Sequence, residues 1–451
     1  MNRCLPGLRT IGSNSARPLK RLLLIAVAAL LPAGIAVPAA FGQTGLYTLN
    51  GGSASETGQT YAATLTDQSA IYVLNAGHLV LTDCTMTKTG NSSSVNNSSQ
   101  YGINAGILAR SAGTVAITGG SITTNASGAN GLFAAGAGSA ISMSGGVISA
   151  SGNGAHGVDV TYGGAITLSD VDITTNGQNS SALATDFGGG SVTVTGGTIV
   201  SSSTAPNSHS AGIYSTGDIV VAGATIVSHG DCGGVIDGAN SITLTDTDLT
   251  GALHGIKTWK TAPMPGTASV TIDGGSLTAS GGDAFHVTAE TGNSASTAIT
   301  VKGGATINAS GVILHVLGSS TASFTADDVT LTGRLYAEDA ADATATFQHD
   351  ATLTGAISGI GLTMDSSSSW IVTSNSILTY LVDPDAISEG TVTNIIGNGR
   401  SVHYDASLAQ NAYLGGGTYA LVNGGVLTPD TVPVEGMSWG AVKAAFQEQD
   451  R

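Results

Sequence analysis

Between Gly106 and Ser149 the chain states the same three-part phrase twice. The first copy reads Gly106-Ile107-Leu108-Ala109-Arg110, then Val115-Ala116-Ile117-Thr118, a Gly119-Gly120 corner, and Ser121-Ile122-Thr123-Thr124. The second reads Gly131-Leu132-Phe133-Ala134, then Ile141-Ser142-Met143-Ser144, Gly145-Gly146, and Val147-Ile148-Ser149. A unit this small cannot bury its own apolar side chains and is stable only when stacked on its neighbours. That property overrides the two or three domains that 451 residues would otherwise suggest, because a stack grows by lengthening one core.

The phrase recurs for most of the chain. An apolar-x-apolar middle strand runs from Leu79/Leu81 through Ile166/Leu168 and Ile219/Val221 to Ile299/Val301. Alternation at period two places both apolar residues on one face. A further apolar residue follows five positions later, as at Ile122, Ile148, Ile173 and Ile226, or six positions later at Ile307. Gly-Gly occupies the corner between them in five units and Asp or Ala in others, where a left-handed backbone or a local hydrogen bond is needed. The opening strands begin at Gly106, Gly131, Gly157, Ala182, Gly212, Gly234, Gly255 and Ala284, 21 to 30 residues apart. Such variation fits coils whose loops differ in length. The pattern predicts an all-β chain: a right-handed parallel β-helix with three-strand coils.

The units Gly157-Val158-Asp159-Val160, Ile166-Thr167-Leu168 and Ile173-Thr174-Thr175 resemble those of bacterial secreted right-handed parallel β-helix repeat proteins. They are similar to the passenger domains of autotransporter adhesins. The resemblance covers about residues 65–365 and implies a rigid, exported, adhesin-like rod. Residues 43–64 are expected as an N-terminal cap, 366–429 as a C-terminal β cap rich in large residues such as Trp370 and Tyr404, and 430–451 as a tail with a short helix at Trp439 to Gln449. The Ser/Asn-rich stretch from Thr89 to Gln100 reads as a long exposed loop. No run of about ten-residue alternating strands follows the coils, so the barrel of a self-translocating protein is not expected.

Residues 1–42 read as a secretory signal peptide. Arg17, Lys20 and Arg21 precede the apolar run from Leu22, and Ala40-Phe41-Gly42 offers a small-x-small cleavage site. The run is interrupted by Pro32 and Pro38, so cleavage is favoured over anchoring, and no integral membrane segment is expected afterwards. The formal charge is -16, and five of the 14 basic residues lie in the signal. An exterior this acidic disfavours nucleic acid and anionic lipid. Cys84 and Cys232 lie several coils apart, roughly 30 Å at strand spacing, so they are expected as free thiols.

The outward positions of the opening strands are where chemistry could be built. The reading takes Val235 as inward. It then places Asp159, Ala184, Tyr214, Ile236, Lys257 and His286 on one outward ladder, and Thr161, Asp186, Thr216, Gly238 and Trp259 on a second. Asp159 and Asp186 fall about 8 Å apart on strand geometry, a separation that would suit an inverting glycosidase. They are the only catalytic candidates; otherwise they are solvated outward side chains. Lys257 lies near 19 Å from Asp159, too far to join it. Tyr214, Lys257, Trp259 and His286 form a possible carbohydrate-contact face. His156, His209 and His254 precede opening strands in different coils and read as corner residues. No metal or cofactor is implied. The expected function is a non-enzymatic surface or extracellular rod that meets surface polysaccharide or a host or neighbouring-cell surface protein. The alternative is a polysaccharide hydrolase or lyase.

Overall fold

The structure is a computed structural model that describes residues 43–204, 209–260 and 266–430. The signal peptide and the tail helix expected at 439–449 lie outside the described residues. The described chain is a parallel β-helix of about 15 turns. Each regular turn contributes one strand to each of three stacks. Ile107–Arg110 pairs in parallel with Leu132–Ala135, and that strand pairs with Val158–Thr161. Thr114–Thr118, Ala140–Ser144 and Gly164–Ser169 form the middle stack. Ser121–Thr124, Val147–Ala150 and Asp172–Thr175 form the third.

Side chains explain the stacking. Val115 and Ile117, Ile141 and Met143, Ile166 and Leu168 all point inward into one continuous core, and Ile122, Ile148 and Ile173 close it from the third stack. Each buried aliphatic contributes about 1.5–3 kcal/mol of transfer free energy. At the corners, glycine follows from the coil below as well as from its own backbone. Gly196 has φ 68, and a Cβ there would lie 2.3 Å from Asp170 Oδ1 of the preceding coil. The same Asp-under-Gly contact recurs at Asp83 with Gly119 and at Asp246 with Gly274. Cys84 and Cys232 are buried and free, as the coil spacing implied.

The ends differ from expectation. Residues 44–63 form a complete first coil, with Thr44–Asn50, Ser53–Thr57 and Thr60–Ala63 each in parallel register with the next turn. Within the expected coils, stacking runs past Phe285 through Leu314–Val316 and Leu335–Ala337. At Ile357–Met364 one long strand pairs with both Leu335–Ala337 and Asp342–Gln348, so two strands of the turn merge. Stacking goes on beyond it around Trp370 and Tyr404, both fully buried, and an antiparallel pair of Tyr419–Val422 with Gly425–Pro429 is the last described.

The Ser/Asn-rich stretch is not an exposed loop. It contains the helix Val95–Tyr101, opened by Ser94, whose side chain accepts the Asn97 amide, and closed by left-handed Gly102. The helix lies on the outer face of the opening stack. There Leu108 and Phe133 point outward yet are buried with Tyr72, Ala105 and Ala135 in a second small core. Tyr101 stacks on Tyr162 with ring centroids 6.2 Å apart, and Thr161 Oγ1 donates to the Gln100 carbonyl at 3.2 Å. The opening strands Ile107–Arg110, Leu132–Ala135 and Val158–Thr161 are consequently buried along their whole length, whereas the middle strands alternate.

Candidate functional site: a cleft and a histidine–carboxylate cluster

Beyond the helix the outer face of the opening stack is uncovered, and a cleft of about 380 Å³ opens along it. Its floor is apolar: Ala211 and Val235 line it and form a small cluster with buried Cys232, with Tyr214 packed against it. Asp186, Asp231, Lys257 and Trp259 line its walls together with His156 and His209. Val95 and Ser99 of the helix border one end.

One register assignment changes here. Tyr214 pairs with Val235 and Val235 with Lys257, so Val235 faces outward and Gly234 takes the inward place between Ile213 and Ile256. Ile236 belongs to the core rather than to the outward ladder. The doublet Gly233-Gly234 makes the slip possible, and Ile242 fills the inward space, its Cδ1 3.0 Å from where a Gly234 Cβ would stand. The shift puts Asp237, not Gly238, opposite Trp259.

Of the predicted carbohydrate-contact face, the structure gathers three members. Tyr214, Lys257 and Trp259 all line the cleft. The Tyr214 hydroxyl donates to Asp237 Oδ2 at 3.5 Å, and the Lys257 ammonium sits 4.5 Å from the centre of the Trp259 ring. His286 is one coil further on, paired with Lys257, and belongs to a different constellation.

The carboxylate pair separates. Asp186 lines the cleft; burial pushes its carboxyl up to about 6, and the charge of Asp237 adds to this while the Phe187 amide opposes it. Asp159 is fully buried beside the helix, and neither of its carboxylate oxygens meets a well-formed hydrogen-bond donor. Burial pushes its carboxyl well above the ordinary range, Asp186 adds to that, and only the Val160 amide works against it. Asp159 is therefore neither a solvated surface residue nor open to a polymer. His156 is also buried; it accepts the Ser181 amide at 3.0 Å, and burial lowers its imidazolium to about 4.

The second constellation was not foreseen. Asp283 Oδ2 stands 2.8 Å from His286 Nδ1 and 3.0 Å from His315 Nδ1, and Oδ1 accepts the Val312 amide at 3.1 Å. His254 Nδ1 accepts the Asp283 amide at 3.0 Å and lies 3.8 Å from Oδ2. The His254 and His286 rings stack with centroids 4.0 Å apart, and His315 meets His286 edge-on at 5.5 Å. Burial opposes ionisation of Asp283, but the hydrogen bonds from His286, His315 and Val312 hold its carboxyl well below the usual range. Burial lowers His254 to about 4, assisted by His286. Among the described residues, His254, Asp283 and His286 form a group that could hold a metal ion.

A signal for this cluster was present. Ala284-Phe285-His286-Val287 and Ile313-Leu314-His315-Val316 repeat one phrase, and His286 pairs with His315 in the stack. His254 sits in the corner before its own strand, and nothing local to it marks its contact with Asp283 of the next coil. No protein-family profile and no curated protein matches this chain.

Proposed function

We propose that the protein is an exported, non-enzymatic β-helix rod, adhesin-like in role, that meets saccharide through the cleft around Trp259. One observation carries this reading: two aromatic side chains and a lysine stand over an apolar floor with carboxylates on the walls. Aromatic faces and apolar floors take the C–H faces of sugar rings, and carboxylates accept from hydroxyls. A rod with such a contact gains binding strength from several copies on one surface. The stacked coils give rigidity, and the acidic composition keeps nucleic acid and anionic lipid away.

A second reading has its own support. A cleft carboxyl pushed up to about 6 is a proton donor near neutral pH. In a hydrolase, Asp186 would protonate the leaving oxygen, and Asp237 or Asp231 would activate water. Asp159 would not take part. Neutral and acidic polysaccharides assayed together for retention and for new reducing ends separate the two readings. The rod reading expects retention without release, weakened at least tenfold by Trp259→Ala. Release abolished by Asp186→Asn overturns it in favour of hydrolysis, and neither signal removes the saccharide reading.

A further inference from the structure

We propose that His254, Asp283 and His286 form a binding site for a divalent transition-metal ion, with His315 as a fourth donor within reach. Each of the first three residues brings one donor atom within 4.8 Å of the other two. Donors held about 2.1 Å from a common zinc-like ion stand about 3.0 Å apart at right angles and about 3.4 Å at the tetrahedral angle. Asp283 Oδ2 lies 2.8 and 3.0 Å from the Nδ1 atoms of His286 and His315, near those spacings, and 3.8 Å from that of His254, a few tenths of an ångström beyond them.

The protonation pattern leaves a place for the ion. His254 Nδ1 accepts the Asp283 amide, so it already carries a lone pair rather than a proton. His286 Nδ1 shares a proton with Asp283 Oδ2. An ion replaces that shared proton once the ring shifts it to Nε2, and it draws on the His254 lone pair in competition with the amide. No redox step and no further reactant is needed. The donor set also selects the ion. Two or three imidazoles with one carboxylate suit zinc, cobalt, nickel or copper. Calcium and magnesium need mostly oxygen ligands, which this cluster does not offer. The three coils that supply the donors are rigidly stacked through Ile256, Phe285 and Leu314, so the site is held before the ion arrives.

The test is titration of chelator-treated, tag-free protein with Co²⁺, Zn²⁺ and Ca²⁺, read by calorimetry and by the visible bands of Co²⁺. The expected result is one Zn²⁺ or Co²⁺ per chain, Co²⁺ bands of nitrogen–oxygen coordination, and no comparable binding of Ca²⁺. Affinity should fall at least tenfold in His286→Ala and in Asp283→Asn, and remain within twofold in His229→Ala, an exposed histidine elsewhere. Asp283→Asn keeps the side-chain volume, and far-ultraviolet circular dichroism checks that each variant retains its coils. Absence of saturable Zn²⁺ and Co²⁺ binding overturns the proposal. So does binding that survives both substitutions in folded protein.

Discussion

Asp159 and Asp283 are two buried carboxyls along the opening stack, and they are perturbed in opposite directions. Asp159 lies where a helix folded from an inserted loop seals the outer face, with another acid as its charged neighbour. Asp283 lies five coils further on, where two imidazoles and the Val312 amide converge on its oxygens and a third imidazole accepts its own amide. Asp159 sits within its opening strand and Asp283 in the corner two residues before another. What differs is whether burial brings donors with it. A buried carboxylate without donors is driven toward its neutral form, and one with donors is fixed as an anion.

The comparison can be broken most forcefully at the cover. Phe133→Ala removes the aromatic beneath the helix and should cost about 3–5 kcal/mol in denaturant unfolding. If Asp159 owes its state to that cover, its carboxyl should then titrate closer to the ordinary range, as followed by the carboxyl carbon in NMR.

Next in size is the response to acid near the cleft. The folded-state pKa of Asp186 is raised above that of the unfolded chain, so the native state binds the proton more tightly. Stability contributed by this group therefore rises as pH falls from above about 6 towards 4, by on the order of 2 kcal/mol. The double variant Asp159→Asn/Asp186→Asn should lose that rise, seen as a flatter melting temperature between pH 7.5 and 5. An unchanged slope would mean the two carboxyls are better solvated than their burial implies. His156, lowered to about 4 in the same cleft, works in the opposite direction and should persist in the double variant.

The histidine cluster should show that opposite sign. His254 is lowered from its usual value to about 4, so the unfolded chain takes up its proton first. Stability is lost as pH falls from about 6.5 to 4, by about 1 kcal/mol after allowance for its partial exposure. His254→Gln should remove this loss, and a variant with the wild-type slope would break the assignment. The Asp283 carboxylate itself should not titrate in this window, because its folded pKa lies below the unfolded one. The smallest effect belongs outside both regions. Lys302 and Asp273 pair at 3.1 Å with both side chains well exposed. Lys302→Ala should change stability by less than about 0.5 kcal/mol, at the noise of a melting measurement.

Most of the core was legible residue by residue. Val115/Ile117, Ile122 and their equivalents declare which way they point, because a one-residue slip would expose every apolar side chain in the strand. Gly233-Gly234 escaped that rule, since a glycine offers no side chain to mark the inward face, and Val235 was misassigned as a result. Tyr214, Lys257 and Trp259 were placed on one face correctly, because their own coils carry a clear inward residue. Asp159 was placed on the right face and in the wrong environment. Nothing local to it announces that Val95–Tyr101, some sixty residues earlier, will fold over it.

The sequence by itself determined the coil: its period, its inward residues, its glycine corners and its two unpaired thiols. These follow from strand alternation and from the need of each turn to bury apolar surface on the next, both of which are written locally. The tertiary structure alone decided which outward residues meet. That depends on how loops of unequal length bring successive coils into register, and on where an insertion comes to rest. Hence the apolar floor under Trp259, the sealed Asp159 and the three histidines around Asp283 exist only in the folded stack, where residues about thirty positions apart in the chain stand one strand spacing apart in space.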